Sequence, residues 1–109
     1  MKFLCLTFLV LSSLPAYAAN CKVYGISDSP QKLSCSFKAL DIKLSCREGQ
    51  YYLNNSLVSD AFHFEVEEGP TPLVFKAPDM QLVVVINSKR DIQGEVEKSG
   101  ITYFGRCRF

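Results

Sequence analysis

Leu33-Ser34-Cys35-Ser36-Phe37-Lys38-Ala39-Leu40-Asp41-Ile42-Lys43-Leu44-Ser45-Cys46 is the stretch that decides the fold class. Leu33, Cys35 and Phe37 alternate with polar residues in one phase, and Leu40, Ile42, Leu44 and Cys46 alternate in the other. A period of two is what a strand with one buried face requires. The phase slips from odd to even between Phe37 and Leu40. Either a β-bulge near Ala39 or a short hairpin turn would produce the slip. Ala39, Leu40 and Ile42 are poor turn formers, which favours the bulge.

The same period extends over the rest of the chain. Arg47-Glu48-Gly49 breaks it, Tyr51 to Leu53 resumes it, and Asn54-Asn55 turns the chain into Leu57-Val58. Ala61 to Glu67 reads as a strand with Phe62, Phe64 and Val66 on the core side and His63, Glu65 and Glu67 on the solvated side. Met80 to Ile86 is the most apolar run, and its β-branched composition predicts a strand covered on both faces. Ser88 to Asp91 and Lys98-Ser99-Gly100 are turns flanking a strand over Ile92 to Glu97, and Ile101 to Phe109 closes the chain with Ile101, Tyr103, Cys107 and Phe109 toward the core. These strands predict an all-β fold, a small antiparallel barrel or sandwich, with no substantial helix in the mature chain. Lys-Leu-Ser-Cys occurs twice, at Lys32–Cys35 and Lys43–Cys46, which is too short to define an internal repeat.

The first eighteen residues have a different character. Lys2 precedes an apolar run from Phe3 to Leu14, and Pro15 leads into Ala16-Tyr17-Ala18. This is the layout of a secretory signal cleaved after Ala18, leaving one domain over 19–109. A domain of this size buries only roughly 60–65% of its unfolded surface, so its core alone is marginal. Cys5 departs with the signal, and Cys21, Cys35, Cys46 and Cys107 remain to form two disulfides in an oxidising compartment, periplasmic or extracellular. Two schemes are expected. Cys21–Cys107 with Cys35–Cys46 follows if the first and last strands are neighbours and a hairpin joins the middle pair. Cys21–Cys35 with Cys46–Cys107 follows if Leu33 to Cys46 is one bulged strand.

Without Lys2 the chain carries eleven basic and eleven acidic residues. A neutral chain lacks the basic surplus that nucleic-acid or anionic-membrane binding needs, and no later segment is long and apolar enough to insert in a bilayer. Asn20 before Cys21 also departs from the small-residue box of bacterial lipidation.

No catalytic constellation emerges. His63 is the sole histidine, and no serine is placed beside it as a nucleophile. His63, Glu65 and Glu67 would share a strand face, but at about 6.5–7 Å per step they are too far apart to chelate a metal by themselves. No cofactor is implied. Two stretches suit binding instead. Glu67-Glu68-Gly69-Pro70-Thr71-Pro72 is acidic and stiffened by Pro70 and Pro72, so it loses little entropy on meeting a partner. In the last strand Phe104, Arg106 and Arg108 share one face, an aromatic and two guanidinium groups in a strip. Asn54-Asn55-Ser56 matches the glycosylation pattern, relevant only in a eukaryotic host.

Ser99-Gly100-Ile101-Thr102-Tyr103 resembles the Ser-Gly-x-x-Tyr loop of the envelope inhibitors of animal-type lysozyme, which are small exported β-barrels. Their later aromatic-x-Lys-Gly segment has no counterpart here, and five residues do not place the chain in that family. The expectation is an exported, non-catalytic module that binds another exported protein, an inhibitor of a hydrolase being its most concrete form. The alternative is a structural envelope component that self-associates through an edge strand.

Overall fold

Turn chemistry sets the connectivity. Glu48-Gly49 (φ 52° and 78°) and Ser99-Gly100 (φ 55° and 79°) place both residues in the left-handed region. That backbone joins two antiparallel strands in two residues with matching twist. It also gives Ser99-Gly100 an ordinary role as a hairpin turn. The computed structural model describes residues 20–109, so the expected secretion signal lies outside the described residues.

Within them the chain forms nine strands: β1 (Lys32–Phe37), β2 (Leu40–Arg47), β3 (Gln50–Leu53), β4 (Ser56–Leu57), β5 (Asp60–His63), β6 (Leu73–Ala77), β7 (Met80–Ser88), β8 (Asp91–Lys98) and β9 (Ile101–Arg108). There is no helix among the described residues, hence none long and apolar enough to cross a membrane.

All nine strands belong to one antiparallel sheet in the order β4-β3-β2-β1-β9-β8-β7-β6-β5. Two meanders, β1 to β4 and β5 to β9, are therefore joined at the centre, where β1 pairs with β9. The edge strands β4 and β5 are consecutive in sequence, separated only by Val58 and Ser59. Val58 N–H donates to Tyr51 O on β3 (2.9 Å), and Ser59 N–H donates to Lys76 O on β6 (2.7 Å), so this link reaches from one side of the sheet to the other. The sheet is curled into a half-barrel. Tyr51 of β3 meets Phe75 of β6 edge-on across the hollow at 5.0 Å. The barrel-like alternative is thus the architecture, and a two-sheet sandwich is not.

The core fills the concave side. Leu33, Ile42, Leu44, Leu53, Phe75, Leu82, Val84, Ile92 and Val96 are all essentially inaccessible. Residues 20–31 form no strand but fold into this hollow, burying Cys21 and Val23. Gln31 clamps the segment, accepting from Cys21 N–H (2.9 Å) and donating to Cys21 O (2.8 Å). Ser29 Oγ accepts from Val23 N–H (2.8 Å), and the Tyr51 hydroxyl donates to Pro30 O (2.6 Å). Burial pushes the Tyr51 phenol up to about 12.

Several expectations need correction. Phe37 pairs with Leu40, so Lys38-Ala39 is a two-residue hairpin turn and not a bulge. Residues directly opposite each other in a hairpin share a face, so a two-residue link flips the parity of the apolar positions. Both disulfide schemes are replaced by a third, Cys21–Cys46 and Cys35–Cys107. The first and last strands are neighbours, as one scheme assumed, but the first strand begins at Lys32. The residue facing Cys107 is accordingly Cys35, and Cys21 reaches β2 from the irregular segment.

Ile101 and Phe109, expected in the core, are 53% and 57% exposed, because Ile101 opens β9 and Phe109 lies just past its end, where neighbouring strands give little cover. Strand β5 stops at His63, leaving Phe64 and Val66 exposed. Continuing the β5–β6 register would set Phe64 against Pro72 and Val66 against Pro70, and proline offers the ladder no N–H. One bond survives, Phe64 N–H to Pro72 O at 3.1 Å.

Candidate interaction face

The convex side of the sheet carries the unexplained apolar surface. Strand β9 alternates as expected: Phe104, Arg106 and Arg108 point outward, with Phe104 73% exposed. Phe104 stands opposite Glu95 on β8, which is opposite Val83 on β7. Val83 is opposite Val74 on β6, and Val74 is opposite Phe62 on β5. A row of outward side chains therefore crosses five strands, interrupted only by Glu95. At about 4.8 Å per strand it spans roughly 19 Å.

Each member has a local cause. Leu73 and Phe75 point into the core, so Val74 between them must point outward, and it is nevertheless fully buried. Phe62 beside it carries the Lys76 ammonium 5.6 Å from its ring centroid. Phe64 packs edge-on against Phe62, centroids 5.6 Å apart, which ties the first residue of the Phe64–Pro72 loop to the end of the row. At the other end Val83, Val85, Gln93, Glu95 and Phe104 line a shallow depression of about 200 Å³. Leu82 to Ile86 is thus not covered on both faces: Leu82 and Val84 are buried, whereas Val83 and Val85 are half-exposed on the convex side.

The two sequence-derived binding stretches stand at opposite ends of this surface. Glu67, Glu68 and Pro70 are exposed on the loop and Pro72 is half-buried at its base. Phe104 belongs to the apolar row. Arg106 does not act with it as an unpaired cation, because its guanidinium donates to Asp91 at 2.8 Å, an exposed pair of little energetic worth. Arg108 lies further along β9, opposite Ser34.

Val83, Val85, Val74 and Phe62 are the members that sequence reasoning missed. For Val83 and Val85 the signal was present in Leu82 to Ile86, an unbroken apolar run in a sheet too small to be covered twice; Phe62, expected on the core side, is turned outward by its pairing with Val74. His63 faces the concave side, its Nδ1 2.8 Å from Tyr24 O, and Glu65 and Glu67 lie beyond the end of β5. Among the described residues no three His, Cys, Asp or Glu side chains come together as a metal site. Comparison with protein-family models, curated proteins and solved structures returns no match.

Proposed function

We propose that this chain is an exported, non-catalytic protein-binding module whose contact surface is the convex row from Phe104 to Phe62, extended by the Phe64–Pro72 loop. The observation that carries the reading is the exposed aromatic at one end, the aromatic pair at the other, and the half-exposed Val83 and Val85 between them. Apolar centres rimmed by charge, here Glu97 and Lys76, are how protein interfaces are built. The acidic loop adds steering toward a basic partner. Inhibition of an exported hydrolase is the most concrete form of the activity, since a stiff loop beside an apolar patch suits entry into a cleft. Two disulfides agree with an oxidising compartment. Self-association through an edge finds less support, because β4 and β5 offer only two and four residues of backbone to pair with.

The test is quantitative capture from native envelope extract, with the mature chain starting at Ala19 as bait. A stoichiometric partner held by the wild type should be lost with Phe104→Ala and bound more slowly, chiefly at low salt, by Glu67→Lys/Glu68→Lys. A partner indifferent to both variants, or recovery of self-oligomers alone, refutes the reading. Mass spectrometry of the native protein should place its N-terminus at Ala19, and one retaining Met1 would remove the exported part of the proposal.

A further inference from the structure

The repeated Lys-Leu-Ser-Cys tetrapeptide acquires a structural meaning on the convex face, away from the apolar row. Its two copies pair with each other: Lys32 opposite Ser45, Leu33 opposite Leu44, and Ser34 opposite Lys43. The leucines are buried in the core. Alternation then sends both lysines and both serines to the outside, with each lysine directly across from a serine. Strand β9 adds a third cation, because Arg108 stands opposite Ser34 on its other side.

The result is two adjacent rows, Lys43–Ser34–Arg108 and Ser45–Lys32. Directly opposed side chains start about 5 Å apart and the rows lie roughly 7 Å apart. All five residues line one shallow groove of about 440 Å³. Among the described residues, none of the three cations has an ion pair and neither serine hydroxyl has a protein hydrogen-bond partner. On β2 the next outward side chain beyond Lys43 is the acidic Asp41, opposite Ser36. Arg106 and Arg47, which flank the cluster, are otherwise engaged, with Asp91 and over the Tyr52 ring respectively.

We propose that this groove is a binding site for a tetrahedral oxyanion, a phosphate or phosphate ester, held by Lys32, Lys43, Arg108, Ser34 and Ser45. Three cations within one groove, against a net charge near zero for the chain, concentrate potential at that spot. A doubly charged tetrahedral group can accept from ammonium, guanidinium and hydroxyl donors at once, whereas a carboxylate presents only two oxygens to the same set. The phosphate could be carried by a soluble molecule or by a lipid headgroup, and the chemistry of capture is the same.

Titration of the mature protein with inorganic pyrophosphate at low salt, followed by amide NMR shifts, tests the proposal. Saturable shifts should gather at 32–36, 43–47 and 106–108. Lys32→Ala/Lys43→Ala should weaken binding roughly tenfold, equivalent to about 1.4 kcal/mol. Lys89→Ala/Arg90→Ala removes the same charge from the β7–β8 turn and should leave binding unchanged. Ser34→Ala/Ser45→Ala preserves all charge and should weaken binding severalfold, which separates a built site from bulk attraction. Equal loss in the two charge variants, scattered shifts or the absence of saturation overturns the proposal. Co-sedimentation with phosphatidic acid vesicles, whose headgroup is a phosphate monoester, displaced by pyrophosphate, assigns the headgroup as the source. Pyrophosphate binding without sedimentation assigns a soluble phosphate.

Discussion

Replacing Gly105 by alanine should loosen the seam on which the whole sheet depends. Gly105 lies on β9 opposite Phe37 of β1. An added Cβ would press into the Ser36 carbonyl and sit 2.7 Å from Phe37 Cδ1. The phenyl ring can rotate away, but a carbonyl held in a sheet cannot move unless β1 and β9 part locally. Overpacking in a tight site costs about 1–3 kcal/mol, and one ladder hydrogen bond lost with it adds about 1 kcal/mol. A total of about 3 kcal/mol in a domain of this size lowers Tm by roughly 12–24 °C. Circular-dichroism melts of oxidised wild type, Gly105→Ala, Phe37→Leu and the double variant measure it. The alanine penalty should persist in the double variant, because the decisive contact is with backbone. A fall below about 4 °C, or full recovery on shrinking Phe37, would refute the reasoning.

Tyr51→Phe removes the hydroxyl that donates to Pro30 O and should cost about 1–2 kcal/mol at neutral pH. The folded-state pKa of Tyr51, about 12, lies above the ordinary phenol value. Its share of stability is therefore intact below pH 10 and lost as pH rises through about 12. Urea unfolding at stepped pH should show the wild type declining more steeply than Tyr51→Phe across that window. Removing Cys35–Cys107, whose partners are 72 residues apart, should cost about 4.4 kcal/mol, and removing Cys21–Cys46, 25 apart, about 3.5 kcal/mol, with melts of the paired alanine variants as the check.

Most of the strands and turns were legible because they are local. Alternation in Leu33 to Cys46 specifies strands, and the Glu48-Gly49 and Ser99-Gly100 turns specify hairpins, without reference to anything distant. Lys38-Ala39 was harder, since neither residue is a strong turn former and the hairpin is held by the strands on either side. The disulfide partners depended on where the first strand begins. Nothing local to Cys21 reveals that 20–31 folds into the hollow through Gln31 and Ser29 side chains. Of the candidate face, Phe104 was readable from alternation in one strand. The row it belongs to was not, because it exists only in the register of five strands. Val83 and Val74 fall in line with Phe104 and Phe62 through pairing alone. The end of β5 had a readable cause in Pro70 and Pro72, but its effect depended on the strand that would lie opposite.

The central pairing of β1 with β9 has a consequence for how the molecule comes into being. A chain made N-terminus first presents β1 to β4 as a complete meander while the partner of β1 is still unmade. The free edge of β1 then waits until β9 is made, and Cys35 with it. Cys21 and Cys46 can meet as soon as the first meander has emerged, but Cys107 arrives last. Folding in the order of emergence would thus make assembly vectorial. One crosslink is available early and staples a half-sheet, while the other is deferred until β9 has slotted between the two halves and made them one sheet.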